Sequence, residues 1–238
     1  MTAEQAKAHA PPESLRKVRT DPTMGPAPVA GATSIGLKDG TLLRMRALRP
    51  DDKSLLQAFF GRLSPTSIHY RVFAGHGSLT AKELAYLTEL DPSVHVALAA
   101  TVVRDDGDER LVGVARYIRV DVHGVPASTS LTAEVAFTVE DAFQQRGIGT
   151  HLLERLAELA RGAGVEQMRA DVLTDNARMM EVFTDSGFVV RRVFADGVFH
   201  VTFPIAATAA FLEASQARAL SELGRPADES KPAVVRAT

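Results

Sequence analysis

The sequence predicts one mixed α/β domain built on a largely antiparallel sheet, and three observations lead to it. Stretches with period-two alternation of apolar residues are interspersed with stretches of helical periodicity. Several of the alternating stretches are joined by short polar or glycine-containing turns, as in hairpins. One crossover of the strand, helix, parallel strand kind stands between these hairpins, around the helix from about Gly147 to Gly162. At 238 residues, 45% hydrophobic and 24% charged, the chain is long enough to bury one good core with tails left over.

Residues 1 to about 35 hold Pro11, Pro12, Pro22, Pro26 and Pro28 and almost no large apolar side chains, so a disordered tail is expected there. Thr41 to Leu48 alternates as a strand. Pro50-Asp51-Asp52 then opens a helix through Leu55, Leu56, Phe59 and Phe60, with proline suited to the first turn. The stretch LSPTSIHYRVFAGHGSL reads as a loop, and Thr80 with Glu83 forms a capping box for the helix AKELAYLTEL. Val94 to Val103 and Leu111 to Val120 pair as a hairpin across the polar turn 104–108, and Thr132 to Val139 is the next strand. Leu152, Leu153, Leu156 and Leu159 form one stripe on the helix that Gly162 and Gly164 end. Val165 to Leu173 is a strand, Asn176 to Asp185 a short helix stopped by Gly187, and Phe188 to Phe194 with Val198 to Phe203 a closing hairpin. The expected division is therefore a tail over 1–35, a domain over 36–205, an alanine-rich helix over 206–223 and a second disordered tail over 224–238.

Composition excludes several functions. A formal net charge of -2 and a sequence pI near 6.4 provide no basic field for nucleic acid. The absence of cysteine removes disulfides, thiolate metal sites and a cysteine nucleophile, and seven scattered histidines show no metal-ligand spacing. No apolar run approaches a membrane span, and the N-terminus lacks the apolar core of a signal peptide, so a cytoplasmic location is expected.

The sharpest local signal is Gln144-Gln145-Arg146-Gly147-Ile148-Gly149, set between a strand and a leucine-rich helix. Glycines there let the backbone approach a ligand, and the free N–H groups of a helix start face an anion. A dinucleotide fingerprint needs a third glycine where Leu152 stands, and the Gly-Lys-Ser/Thr of a phosphate-binding P-loop is absent. The pattern Gln/Arg-x-x-Gly-x-Gly/Ala instead resembles the acyl-CoA signature of the GNAT N-acetyltransferase superfamily. The element order over about residues 40 to 205 and the segment Asn176 with Ser186-Gly187-Phe188 resemble that family as well.

The resemblance implies a GNAT fold with a splayed strand pair and flanking helices, acetyl-CoA as co-substrate and no metal. It implies that the backbone of Phe137, Thr138 and Val139 takes the pantetheine arm, and that the loop Gln144, Gln145, Arg146, Gly147, Ile148, Gly149 and Thr150 holds the pyrophosphate, with Arg146 adding a charge-assisted contact. Asn176 either touches the pantetheine or simply caps its helix. Ala133-Glu134-Val135-Ala136-Phe137 closely resembles the matching strand of bacterial Pat-type protein lysine acetyltransferases, which makes Glu134 the general base. The alternative is a solvated glutamate paired with Arg116 or Arg119. A carboxylate inside an apolar strand is costly without a role. In fused members of that group the helix 206–223 would be the connector to a further module.

Asp171 is the candidate for a second carboxylate, with a salt-bridged position as the alternative. His69, His76, Tyr70 and Arg71 fall in the acceptor loop, while His151 and His200 read as surface or partly buried residues. Phe183 stands where many GNAT enzymes carry a tyrosine that protonates the leaving thiolate, leaving water, the product ammonium, Tyr70 or Tyr117 for that task. The expected activity is direct acetyl transfer to a primary amine, above all a protein lysine, by a monomer or homodimer. A small-molecule amine as acceptor, or a non-catalytic acyl-CoA sensor, are the alternatives.

Overall fold

The computed structural model describes residues 31–37, 39–72, 78–103 and 107–223. Eight strands form one sheet: β1 (Thr33–Gly36), β2 (Leu42–Ala47), β3 (His95–Val103), β4 (Glu109–Arg119), β5 (Thr132–Val139), β6 (Gln167–Leu173), β7 (Arg191–Ala195) and β8 (Val198–Pro204). Their order is β1-β2-β3-β4-β5-β6-β8-β7, and every neighbouring pair is antiparallel except β5 with β6. The helices are α1 (Lys53–Phe60), α2 (Pro65–Val72), α3 (Ala81–Thr88), α4 (Ile148–Gly162), α5 (Ala177–Asp185) and α6 (Ala209–Leu223). This is the mixed α/β architecture expected from the alternating pattern.

Two cores form because β3 is buried on both faces along nearly its whole length. On one face Leu56, Phe59 and Phe60 of α1 and Ile68 of α2 pack on Ala97, Ala99, Leu111 and Val114. On the other, Ile148, Leu152, Leu153 and Leu156 of α4 pack on Leu98, Ala100, Val112 and Ala115, with Phe183 of α5 and Phe211 of α6 extending that layer. Each buried leucine on α4 stabilises the layer by roughly 2 kcal/mol. Gly113 on β4 lets the first turn of α4 sit low, since a Cβ there would lie 3.2 Å from Leu152 Cδ1 and 3.5 Å from Ile148 Cγ2. That places the loop before α4 against the end of β5.

A buried ion cluster joins the start of the domain to the sheet. Arg46 of β2 donates to both oxygens of Asp52, at 2.6 and 2.9 Å, and to Glu109 at 2.6 Å. Burial pushes the Asp52 carboxyl up, but these bonds and the Arg49 N–H outweigh it and hold the group below the usual carboxylate range.

Several boundaries differ from the expected ones. The edge strand β1 begins inside the stretch taken as tail, because Ile35 packs on the core and the free edge of β2 accepts four pairings. Helix α2 replaces part of the expected loop: Ser64 Oγ accepts from the Ser67 N–H at 3.1 Å, Pro65 opens the first turn, and buried Ile68 supplies the contact. Helix α6 starts at Ala209 rather than 206. The hairpin between β3 and β4 is present, although residues 104–106 of its turn lie outside the described residues, as do residues 1–30 and 224–238 of the expected tails. The Thr80 and Glu83 capping box and the β7–β8 hairpin, turned by Asp196 and Gly197 at φ 52° and 83°, follow the sequence reading. Among the described residues no helix is long and apolar enough to cross a membrane.

Gly187 bears on stability directly. It has φ +81°, and a Cβ there would lie 2.9 Å from Ala214 Cβ and 3.1 Å from the Phe211 Cα. Gly187→Ala is expected to destabilise by about 2–4 kcal/mol in denaturant titration, by backbone strain and displacement of α6. Gly162→Ala, with open space around it, should be neutral or stabilising by up to about 1 kcal/mol. Equal effects of the two would contradict the packing described here.

Candidate active site

The site begins where two strands part. β4 and β5 pair over seven positions, from Gly113↔Val139 to Arg119↔Ala133. β5 and β6 pair over three, ending at Glu134↔Arg169, after which β6 continues with β8 and leaves β5. In the β4–β5 ladder the Glu140 N–H donates to Val112 and the Val120 N–H to the Thr132 carbonyl, so the even-numbered residues of β5 face β4 with their backbone groups. The N–H and C=O of Phe137, and the N–H of Val139, therefore turn into the opening. The Val139 carbonyl is taken by Gln144 Nε2 at 3.0 Å. Thr138 turns its backbone to β4 and lines the cleft, and its Oγ1 is buried with no hydrogen-bond partner among the described residues.

Two cavities meet at this parting. A cleft of about 900 Å³ runs past Thr138, Val139, the loop 144–150 and α5, and a smaller cavity of about 100 Å³ is lined by Glu134, Ala136, Asp171, Val172 and Phe183. Tyr70, Phe137, Asn176 and Met179 line both.

The loop is shaped for an anion. Gln145 and Gly147 take left-handed conformations, φ 61° and 84°, which turn successive N–H groups toward one side as an anion-binding nest. Gly147 is the N-cap of α4 and no side chain caps that end, so the first-turn N–H groups at Ile148, Gly149 and Thr150 face the cleft. Gly149 is required by close packing, since a Cβ there would meet Val182 Cγ2 at 3.2 Å and Phe137 Cε2 at 3.6 Å.

Side chains around the loop serve to hold it. Gln144 donates to Ser67 Oγ at 3.3 Å and accepts from Arg178 at 2.6 Å, tying α2 and α5 to the loop. Asp141 accepts from the Ser64 N–H and from both serine hydroxyls, at 3.0, 2.7 and 2.9 Å. Burial raises its carboxyl, yet the Ser64 and Ser67 bonds prevail and hold it below the ordinary range. Arg146 pairs with Asp39 at 2.5 Å and lies over the Phe143 ring, so its guanidinium is engaged beside the loop rather than within it. Asn176 caps α5, accepting from the Met179 N–H at 3.2 Å, and is buried on the walls of both cavities.

Glu134 lies on the small cavity, 54% exposed, and its partner is Arg169 at 3.4 Å. Neither arginine considered from sequence is that partner: Arg116 meets His95, and Arg119 donates to the carbonyls of Ser130 and Ala163. The half-exposed carboxylate also escapes the burial cost that singled it out in the sequence; its place on the cavity wall is what distinguishes it. Asp171 shares that wall, and its carboxylate lies 2.7 Å from His200 Nδ1. His151 is buried beside Glu154, at 3.6 Å. His69 is exposed, and His76 and the Arg71 side chain lie outside the described residues. Tyr117 is sealed in the core at 1% exposure, away from both cavities. Sequence reasoning missed Arg178 and Arg218 on the cleft wall. An arginine in the first turn of the helix that faces the loop was the available signal for Arg178. Arg218 sits on α6 and reaches the cleft only through the fold, held by Glu154 and the Asp185 carbonyl. No group of His, Asp and Glu among the described residues forms a metal site.

Comparison with known proteins places this arrangement among acyl-transfer enzymes. The model of the acetyltransferase (GNAT) family matches residues 69–188. An acetyltransferase of Pseudomonas aeruginosa is 30% identical over 156 residues, covering 66% of this chain and 80% of that protein. The acetyltransferase Pat of Mycolicibacterium smegmatis is 34% identical over 120 residues, 50% of this chain, and the chain spans only 33% of that relative's length. The GNAT domain of Pat from S. lividans superposes with a TM-score of 0.67 at 37% identity, over 73% of this chain and 96% of that domain.

Gly149→Ala tests the cleft. The added methyl is expected to push Val182 and Phe137 apart and weaken CoA binding about tenfold in calorimetry, with a modest loss of thermal stability. An unchanged affinity would remove the contact between α4 and α5 from the ligand groove.

Proposed function

This chain belongs to the GNAT family of acetyltransferases, which take their acetyl group from acetyl-CoA, and we propose that it delivers that group to the ε-amine of a protein lysine, with Glu134 as general base. The observation that carries this reading is the place of Glu134 on the small cavity at the parting of β5 and β6, next to the cleft with the anion-shaped loop. The names of two similar proteins, both Pat acetyltransferases, support a lysine acceptor.

The residues divide the work. The pyrophosphate would lie on the N–H groups of Gln145 to Thr150, the pantetheine along the backbone groups of Phe137 and Val139 that face the opening, and the Thr138 hydroxyl, without a partner among the described residues, would gain one. Arg178, beside the loop, adds positive charge near the phosphates. The acyl end would then fall where the two cavities join, beside Phe137. A lysine amine with a reference pKa of about 10.4 arrives protonated at neutral pH and must lose a proton before its lone pair can attack. Glu134 is exposed enough to pass that proton on to solvent. The amine then attacks the acetyl carbon directly, the N–C bond forms as the C–S bond breaks, and no enzyme nucleophile is needed. Asp171 stands on the same wall, paired with His200.

A lysine peptide and acetyl-CoA, followed by thiol release and by mass spectrometry of the peptide, test the proposal. Glu134→Gln is expected to lower kcat about 100-fold or more while the KM for acetyl-CoA stays within about twofold. Full activity in that variant would sink the base assignment. Turnover of small amines with none of peptides would replace the lysine acceptor.

A further inference from the structure

Acyl transfer as proposed above leaves one proton unassigned: the sulfur departs as a thiolate into a space walled by Phe137, Met179 and Phe183, where an unpaired anion is costly. Helix α5 brings no proton donor to that space: its residues on the small cavity are Met179 and Phe183, while Glu181 and Asp185 line the larger cleft. Phe183 is 1% exposed and wedged between Phe137 and Phe203, with ring centroids 5.7 and 5.4 Å apart, and Asn176 is spent on capping. The chain holds three tyrosines and no cysteine. Tyr117 is sealed in the core and Tyr86 sits on α3 against His95, at 5.8 Å between rings. Tyr70 is on α2, which the loop reading of the sequence did not anticipate, and its ring lines both cavities. Of the four residues that do so, it alone carries a hydroxyl proton. That hydroxyl donates to the Asp175 carbonyl at 3.2 Å, a long bond beside Asn176, at the mouth between cleft and cavity.

We propose that Tyr70 is the catalytic acid that protonates the leaving thiolate, taking from α2 the role that α5 cannot fill. As the C–S bond breaks, the sulfur keeps the bonding pair and receives the Tyr70 proton to leave as the free thiol. The nitrogen sheds two protons, one from the ammonium through Glu134 to solvent before attack and one to solvent after the N–C bond has formed, and the tyrosinate regains one of them from solvent. The balance is one ammonium and one thioester giving one amide, one thiol and one proton. The same α2 hydroxyl closes the junction by bridging to the β6–α5 turn, so acid and acyl group meet only when α2 is seated on the loop through Ser67 and Asp141.

The test is Tyr70→Phe, assayed with acetyl-CoA and a lysine peptide beside Glu134→Gln. Tyr70→Phe is expected to lose 10- to 100-fold in kcat and to keep the KM and the calorimetric affinity for acetyl-CoA within twofold. Adding Phe183→Tyr to Tyr70→Phe, which returns a hydroxyl to α5, should recover several-fold in kcat, a rescue that a purely structural role for Tyr70 would not show. If no amine is turned over, the same comparison is read on the slow hydrolysis of acetyl-CoA, in which the same thiolate leaves. That outcome would fault the acceptor reading, while the Tyr70→Phe effect on hydrolysis still judges the acid. A kcat within twofold of the parent, or a loss carried by the KM for acetyl-CoA alone, overturns the proposal.

Discussion

A β-strand that is paired along both edges has no backbone left for a ligand, and everything at this site depends on β5 being paired along only one beyond Glu134. Its ladder with β4 is long and its ladder with β6 stops after three positions. What keeps the two strands apart is packing rather than strand sequence. Phe183 of α5 stacks edge-on to Phe137 from beneath the opening, and Val182 lies against Gly149 of α4. β6 meanwhile satisfies its other edge on β8 over seven positions, so the sheet loses little by the parting. A wedge of this kind is preformed, and a ligand entering it adds hydrogen bonds without first breaking any.

The loop and the acid end of the site are held to that wedge by one polar network. Gln144 reaches back to the Val139 carbonyl, across to Ser67 of α2 and onward to Arg178 of α5. Asp141 fixes the start of α2, and Arg62 and Arg110 close on Glu140 where β5 ends. Charged groups of both signs thus neutralise one another around the rim, while the N–H groups at the floor, which have no partner among the described residues, face the cleft where a phosphate charge would sit. The network also ties α2, which brings Tyr70, to the loop through Ser67.

Much of this was legible in the chain, for physical reasons that differ by element. The strand Thr132 to Val139 and the helix after Gly147 have unbroken alternation and a full leucine stripe, so both fell within a residue of expectation. Asn176 and Thr80 announced their helices because a cap is a local interaction. Helix α2 was not legible as a helix, since only Ile68 marks its buried face. Neither was β1, whose four residues hold one large apolar side chain and are ordered by the edge of β2. Glu134 was found partly for a reason that the fold does not sustain, because that position is half open to solvent. The engagement of Arg146 by Asp39, 107 residues earlier, and the reach of Arg218 from α6 belong to tertiary structure alone.

If the parted edge of β5 is the ligand's binding edge, amide hydrogen exchange in the presence and absence of CoA will show it. Exchange is expected to slow at residues 135–139 and 144–150 when CoA is bound, with β2 and β3 unchanged. Protection that misses 135–139, or that falls instead on the open face of β6 and β8, would contradict it.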